Sequence, residues 1–117
     1  MKILIADDEK EYIDFMAERL TVRGHDVSAV YDGEDALDLI KTNSYDIVFV
    51  DHNMPGRTGL ELARYIKDKE IRAVVVMVTG YEEMKDSFAK AVGVDEYLTK
   101  PVKIKDIDDI VEKYDKR

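Results

Sequence analysis

Four short clusters hold the reactive groups of this chain: Asp7 and Asp8, Asp51, Thr79 with Gly80, and Lys100 with Pro101. Each stands just past the end of an apolar run. Three carboxylates converging on one crevice repel one another, so a cation must neutralise them or the pKa of at least one must rise. Carboxylate and carbonyl oxygens favour Mg2+ or Mn2+ over zinc, and an open oxygen site that keeps its waters suits Mg2+. Lys100 brings a second positive charge and Thr79 a hydroxyl donor. Metal, ammonium and hydroxyl around a carboxylate are the parts that hold a phosphoryl group, whose transfer depends mainly on positioning and charge stabilisation. Asp51 is then the residue to accept it, as an aspartyl phosphate.

These groups act together only if the fold gathers them. Five apolar runs stand out: Lys2 to Ala6, Asp26 to Tyr31, Asp46 to Val50, Ala73 to Val78 and Val94 to Leu98. The third and fourth lack polar alternation, as expected of central strands covered on both faces. Between the runs, apolar residues recur three or four apart, which places one apolar stripe on a helix face. The sets are Ile13, Met16, Ala17 and Leu20; Ala36, Leu37 and Ile40; Leu62, Ala63 and Ile66; Phe88, Ala91 and Val92; and Ile104, Ile107, Ile110, Val111 and Tyr114. Gly24 and Gly93 mark the stops of the first and fourth helical patterns. Asp86 and Ser87 compete for backbone hydrogen bonds inside the fourth, which is expected to be the most mobile helix. Five β-α units with short links force parallel pairing, and right-handed crossovers put helices on both faces. The expectation is an open doubly wound α/β fold, a flavodoxin-like (βα)5 with a five-stranded parallel sheet in the order 2-1-3-4-5, as one domain over residues 1–117. Such sheets bind ligands at the carboxyl ends of their strands, near the switch point between the first and third, and that is where the four clusters fall.

Composition removes several classes of function. The 117 residues carry 26 acidic and 18 basic side chains, a net charge of −8, and no cysteine, which excludes disulfides, zinc-thiolate sites, iron–sulfur ligation and a cysteine nucleophile. Basic residues are spread along the chain, so the acidic balance opposes direct binding to nucleic acid. No apolar run approaches the roughly 20 residues that cross a bilayer, and no signal peptide opens the chain, so the expected compartment is the cytoplasm, with no membrane partner. The absence of glutamine beside many Lys, Glu and Asp leans toward a heat-adapted source.

The sequence resembles the receiver domains of two-component response regulators over its whole length, most like a single-domain, chemotaxis-regulator type. The resemblance is carried by Asp7, Asp8 and Glu9 after the first strand, Asp51 followed by Met54, Pro55 and Gly59, Thr79 with Gly80, and Tyr97 three residues before Lys100 and Pro101. It implies that Asp51 is the phosphoacceptor, that Asp8 binds Mg2+ directly and Asp7 through water, and that the Asn53 carbonyl completes the protein's share of the coordination. Lys100 would contact the phosphoryl group beside a cis peptide before Pro101, and Thr79 with Tyr97 would form a switch pair. The implied function is a signalling phosphoacceptor that catalyses only its own phosphorylation and dephosphorylation. Its implied partners are a sensor histidine kinase or histidine phosphotransfer protein and a downstream protein target, reached through the surface of the fourth and fifth helical segments and the fifth strand. As monomer or weak phosphorylation-dependent dimer, with nothing after the last helix, it would give its output by protein contact.

Plainer roles stand beside these. Asp8 has the right type for an N-cap of the first helix, Thr79 with Gly80 for a turn, and Tyr97 for ordinary packing. His25 and His52 lack metal-ligand spacing and read as surface or structural residues, and Met54 and Pro55 as shapers of the loop after Asp51. Four positions depart from or vary within the family pattern: His52, where an aliphatic residue is usual; Val102, where DNA-binding members often have Phe; and the variable pair Asn53 and Tyr81. A haloacid dehalogenase-type phosphatase would need an acid at Asn53. A flavodoxin would need a Ser, Thr and Gly loop in place of Asp7, Asp8 and Glu9.

Overall fold

A computed structural model describes residues 1–80 and 93–115. Its elements are β1 (Lys2–Ala6), α1 (Lys10–Val22), β2 (Asp26–Val30), α2 (Gly33–Thr42), β3 (Ile47–Asp51), α3 (Gly59–Asp68), β4 (Val74–Thr79), β5 (Glu96–Thr99) and α4 (Ile104–Tyr114). The fourth helical pattern, with Tyr81, Asp86 and Ser87, lies outside the described residues. The strands form one parallel sheet in the order β2-β1-β3-β4-β5, the flavodoxin-like arrangement expected from the sequence.

The unalternating apolar runs take the middle of the sheet because only there are both faces covered. All of β3 is buried, and its side chains divide by alternation between two cores. Val48 and Val50 join Leu4, Val75 and Met77 beneath the buried stripes of α2 and α3, Ala36, Leu37 and Ile40 with Leu62, Ala63 and Ile66. Ile47 and Phe49 join Ile3, Ile5, Val76 and Val78 beneath α1 and α4, against Ile13, Met16, Leu20, Ile107, Ile110 and Val111.

Local signals set the helix ends. Asp32 caps α2 by accepting the Asp35 N–H at 2.8 Å, and Thr58 with Glu61 forms a capping box at the start of α3. Beyond α1, Gly24 adopts φ +94°, with the Gly24 and His25 N–H groups turned back onto the Thr21 and Leu20 carbonyls. The same closure ends α3, where the left-handed residue is Glu70 at φ +54°, not a glycine. Asp8 does not cap α1. Glu9 holds the N-cap position without a side-chain cap bond, which leaves the Asp8 carboxylate exposed at the sheet edge.

The register decides what meets at that edge. Ala6 aligns with Val50, Asp51 with Val78, and Thr79 with Thr99, so Asp7, Asp51, Thr79 and Lys100 all emerge at the carboxyl ends of neighbouring strands. Among the described residues, no helix is long and apolar enough to cross a membrane.

Candidate functional site

Asp7 leaves β1 buried, its N–H donating to the Val30 carbonyl at 3.1 Å and its Oδ1 accepting the Glu9 N–H at 2.9 Å. Asp51 ends β3, also buried, and Asp8 stands exposed beside both. One oxygen from each of the three carboxylates lies within 4.8 Å of the others. Lys100 closes the cluster from the end of β5: its Nζ stands 3.3 Å from Asp7 Oδ2, 3.2 Å from Asp51 Oδ2 and 3.1 Å from Glu9 Oε1. The Lys100 N–H donates to the Thr79 carbonyl at 2.8 Å, and the peptide to Pro101 is cis.

The floor under Asp7 and Asp51 is apolar. A cavity of about 10 Å³, lined by residues including Ile5, Phe49, Val78 and Val102, separates them from the helices below. Burial therefore opposes ionisation. It pushes Asp7 from 3.8 up to about 6, an effect that the Glu9 N–H bond and Lys100 resist and the neighbouring Asp51 charge assists. Asp51 is raised for the same first reason, against the pull of Lys100 and the Asn53 N–H, which sits 3.4 Å from its Oδ1. Burial works against the charge of Lys100 too, but Asp7, Glu9 and Asp51 together outweigh it and hold the ammonium more firmly protonated than a free lysine. One ammonium thus contacts three carboxyl groups, with Asp8 a fourth beside them. The excess negative charge, the oxygen-only donors and their spacing fit a hard divalent cation.

The loop after Asp51 is anchored on both sides. The His52 N–H donates to the Val78 carbonyl at 2.9 Å, and the His52 carbonyl accepts the Gly59 N–H at 3.2 Å. Gly59 opens α3 directly over the end of β3: a β-carbon there would stand 2.7 Å from the Asp51 carbonyl oxygen and 2.8 Å from the Met77 sulfur. Only glycine lets the helix sit this close.

A profile of the response regulator receiver domain matches residues 3–112. The chain belongs to the response regulator receiver domain family. Among solved structures it is similar to a Francisella response regulator 1452 receiver domain, at 31% identity and a TM-score of 0.90 over 97% of this chain and 94% of that one. It is similar to the response regulator TrrA of Thermotoga maritima, a structure in complex with Mg2+ and BeF, at 30% identity and a TM-score of 0.84 over 97% of both chains. The chemotaxis response regulator CheY4 of Vibrio cholerae matches at 25% identity and a TM-score of 0.87, again over 97% of both.

In this receiver domain the structure brings Asp7, Asp8, Glu9, Asp51 and Lys100 into one cluster, with Thr79 buried at the end of the adjoining strand. Tyr97 pairs with Met77, two residues before the level of Thr79, and packs against the core under α2 and α3. Strand alternation puts Thr79 on that same face. Asn53 is exposed in the loop, Met54 is buried and Gly80 is exposed. His25 is buried with its Nδ1 3.1 Å from the Met1 amino group, in keeping with a structural role. Two contributors were not singled out from sequence. Tyr12 walls the cavity and donates to the Val102 carbonyl at 2.8 Å, tying α1 to the segment after Lys100, and burial pushes its phenol up to about 12. Its signal was a position four residues past Asp8, on the inner side of α1. Arg57, which pairs with Glu34 at 3.0 Å and Glu61 at 3.6 Å, carried no local signal.

Proposed function

We propose that this receiver domain is a phosphorylation-activated switch in which Asp51 accepts a phosphoryl group from a phosphohistidine of a sensor histidine kinase or a histidine phosphotransfer protein in the cytoplasm. The observation that carries the reading is the gathering of Asp7, Asp8 and Asp51 within 4.8 Å under the Lys100 ammonium. An Asp51 carboxylate oxygen attacks phosphorus while the phosphorus–nitrogen bond breaks, and the electron pair leaves with the imidazole, which takes up a proton. Asp7, Asp8, Asp51 and the Asn53 carbonyl are the groups that would hold Mg2+. Bound there, Mg2+ supplies charge neutralisation and orientation of the phosphoryl oxygens. Lys100, already shared among carboxylates, moves its contact to a phosphoryl oxygen, and the Thr79 hydroxyl donates to another.

The switch follows from magnitudes. Moving a two-state domain from 1:99 to 99:1 takes about 5.5 kcal/mol of differential interaction. Hydrogen bonds to charged groups contribute roughly 1.5–3 kcal/mol each, so two new ones from Thr79 and Lys100 are of the right size. Thr79 moving toward the phosphoryl group gives Tyr97, on the same face, room to turn inward, and the surface of β5 and α4 changes for a downstream protein partner. The chain then catalyses only its own phosphorylation and dephosphorylation. Borohydride reduction of protein treated with Mg2+ and acetyl phosphate, followed by peptide mass mapping, tests the acceptor: the reading expects residue 51 alone to become homoserine. Label at another residue would refute it.

A further inference from the structure

Gly33 is the first residue of α2, and nothing in its own backbone calls for glycine. Asp32 already caps the helix, Gly33 has no left-handed φ, and glycine inside a helix costs about 1 kcal/mol relative to alanine. What it permits is a tertiary approach. A β-carbon there would stand 2.1 Å from the Arg57 carbonyl oxygen, 2.3 Å from its nitrogen and 2.5 Å from its α-carbon, all backbone atoms with no cheap way to yield. The Gly33 N–H donates to the Pro55 carbonyl at 2.8 Å, and the Arg57 side chain pairs with Glu34 of α2 and with Glu61 of α3. Gly56, at φ +84°, completes the contact: its missing β-carbon would meet the Glu34 Cγ at 3.1 Å and the Glu34 nitrogen at 3.2 Å. The segment so clamped, residues 53–57, is the one that leaves Asp51 and carries Asn53, whose N–H lies against the Asp51 carboxylate.

We propose that Gly33 is a positioning residue of the carboxylate site, the start of α2 serving as the abutment that sets the 53–57 loop, and with it Asn53, at the distance where a divalent cation is held. The inference rests on the receiver reading and adds to it a coupling between α2 and the metal. A β-carbon at residue 33 pushes Pro55 and Arg57 outward and carries Asn53 with them, while Asp7, Asp8 and Lys100, which come from other strands, stay in place. By thermodynamic reciprocity, a cation that fixes the loop must also fix its contact with α2.

The test compares Mg2+ affinity, by calorimetry, with unfolding midpoint in four proteins: wild type, Gly33→Ala, Gly56→Ala and Gly24→Ala. Gly24 has φ +94° and open space around it, so its alanine variant is strained without touching the loop. The expected result is Mg2+ binding about tenfold weaker in Gly33→Ala and Gly56→Ala, with wild-type affinity in Gly24→Ala despite its lower midpoint. Should Gly33→Ala not fold, Gly56→Ala carries the comparison, joined by hydrogen exchange on the wild type: saturating Mg2+ should slow exchange of the Gly33 amide about tenfold. Wild-type affinity in a folded Gly33→Ala or Gly56→Ala protein, or a Gly33 amide indifferent to Mg2+, overturns the inference while leaving the receiver reading intact. A wild type that binds no Mg2+ overturns both.

Discussion

Burial and mutual repulsion leave the carboxylates at the sheet edge short of positive charge, and that shortage has a measurable pH signature. Asp7 titrates near 6 when folded against 3.8 unfolded, so its protonated form is favoured by folding. Such a group stabilises the fold fully below its unfolded pKa, and the contribution is lost as pH rises through the folded one. In chelator, urea unfolding followed from pH 4 to 7 should therefore show stability falling towards pH 6, with Asp51 shifted in the same direction. Asp7→Asn should flatten most of that slope. Mg2+ at about a hundred times its dissociation constant should restore roughly 2.7 kcal/mol to the wild type near neutral pH. A slope of opposite sign would contradict the charge balance drawn here. Thr79→Ala, by contrast, should leave Asp51 phosphorylatable while the phosphorylated and unphosphorylated forms bind the downstream partner equally; a surviving preference would remove Thr79 from the switch.

At the scale of elements, helix ends place the loops that place the site. Thr58 and Glu61 satisfy one another's backbone at the start of α3, where Gly59 rests on the Asp51 carbonyl. Thr58→Ala should cost about 1 kcal/mol in urea unfolding. Gly59→Ala should cost about 1–3 kcal/mol through overpacking and slow phosphorylation besides, because the intruding methyl meets the backbone of Asp51 itself. Glu70 gives a prediction of the other sign: Glu70→Gly relieves a left-handed side chain and should add roughly 0.5–1 kcal/mol. These ends also mark where sequence reading succeeds and stops. Gly24 was legible because glycine announces a left-handed residue, whereas Glu70 was not, because the closure there is imposed by the turn between α3 and β4 on a residue that does not favour it. Asp8 looked like a cap because Asp is a capping type, and only the path of the chain shows Glu9 in that position.

For the whole molecule, most of the fold was written in the alternation of apolar runs and amphipathic stretches, since a strand such as Ile47–Val50 with no polar face fits only the middle of a covered sheet. The site was legible for a related reason. Strand ends are local in sequence, and parallel topology sends them all to one edge, so Asp7, Asp51, Thr79 and Lys100 could be read as neighbours. What stayed hidden were contacts made across the fold by residues without local signature: Tyr12 reaching Val102, Gly33 admitting Arg57. The two cores hold this edge in register, and Phe49, 1% exposed under α1 and α4, is the largest fully buried side chain among the described residues. Phe49→Ala should cost about 3–5 kcal/mol, seen as a lower urea midpoint.

The central claim is that Asp51 accepts phosphoryl groups in a metal-dependent reaction. Intact mass of the protein and of Asp51→Asn, after incubation with acetyl phosphate in Mg2+ or in chelator, tests it most directly. The wild type with Mg2+ should gain one phosphoryl group, and the wild type in chelator and Asp51→Asn should gain none. No added mass in the wild type, with no binding of beryllofluoride to show a competent pocket, would contradict it, as would a phosphoryl group that survives in Asp51→Asn.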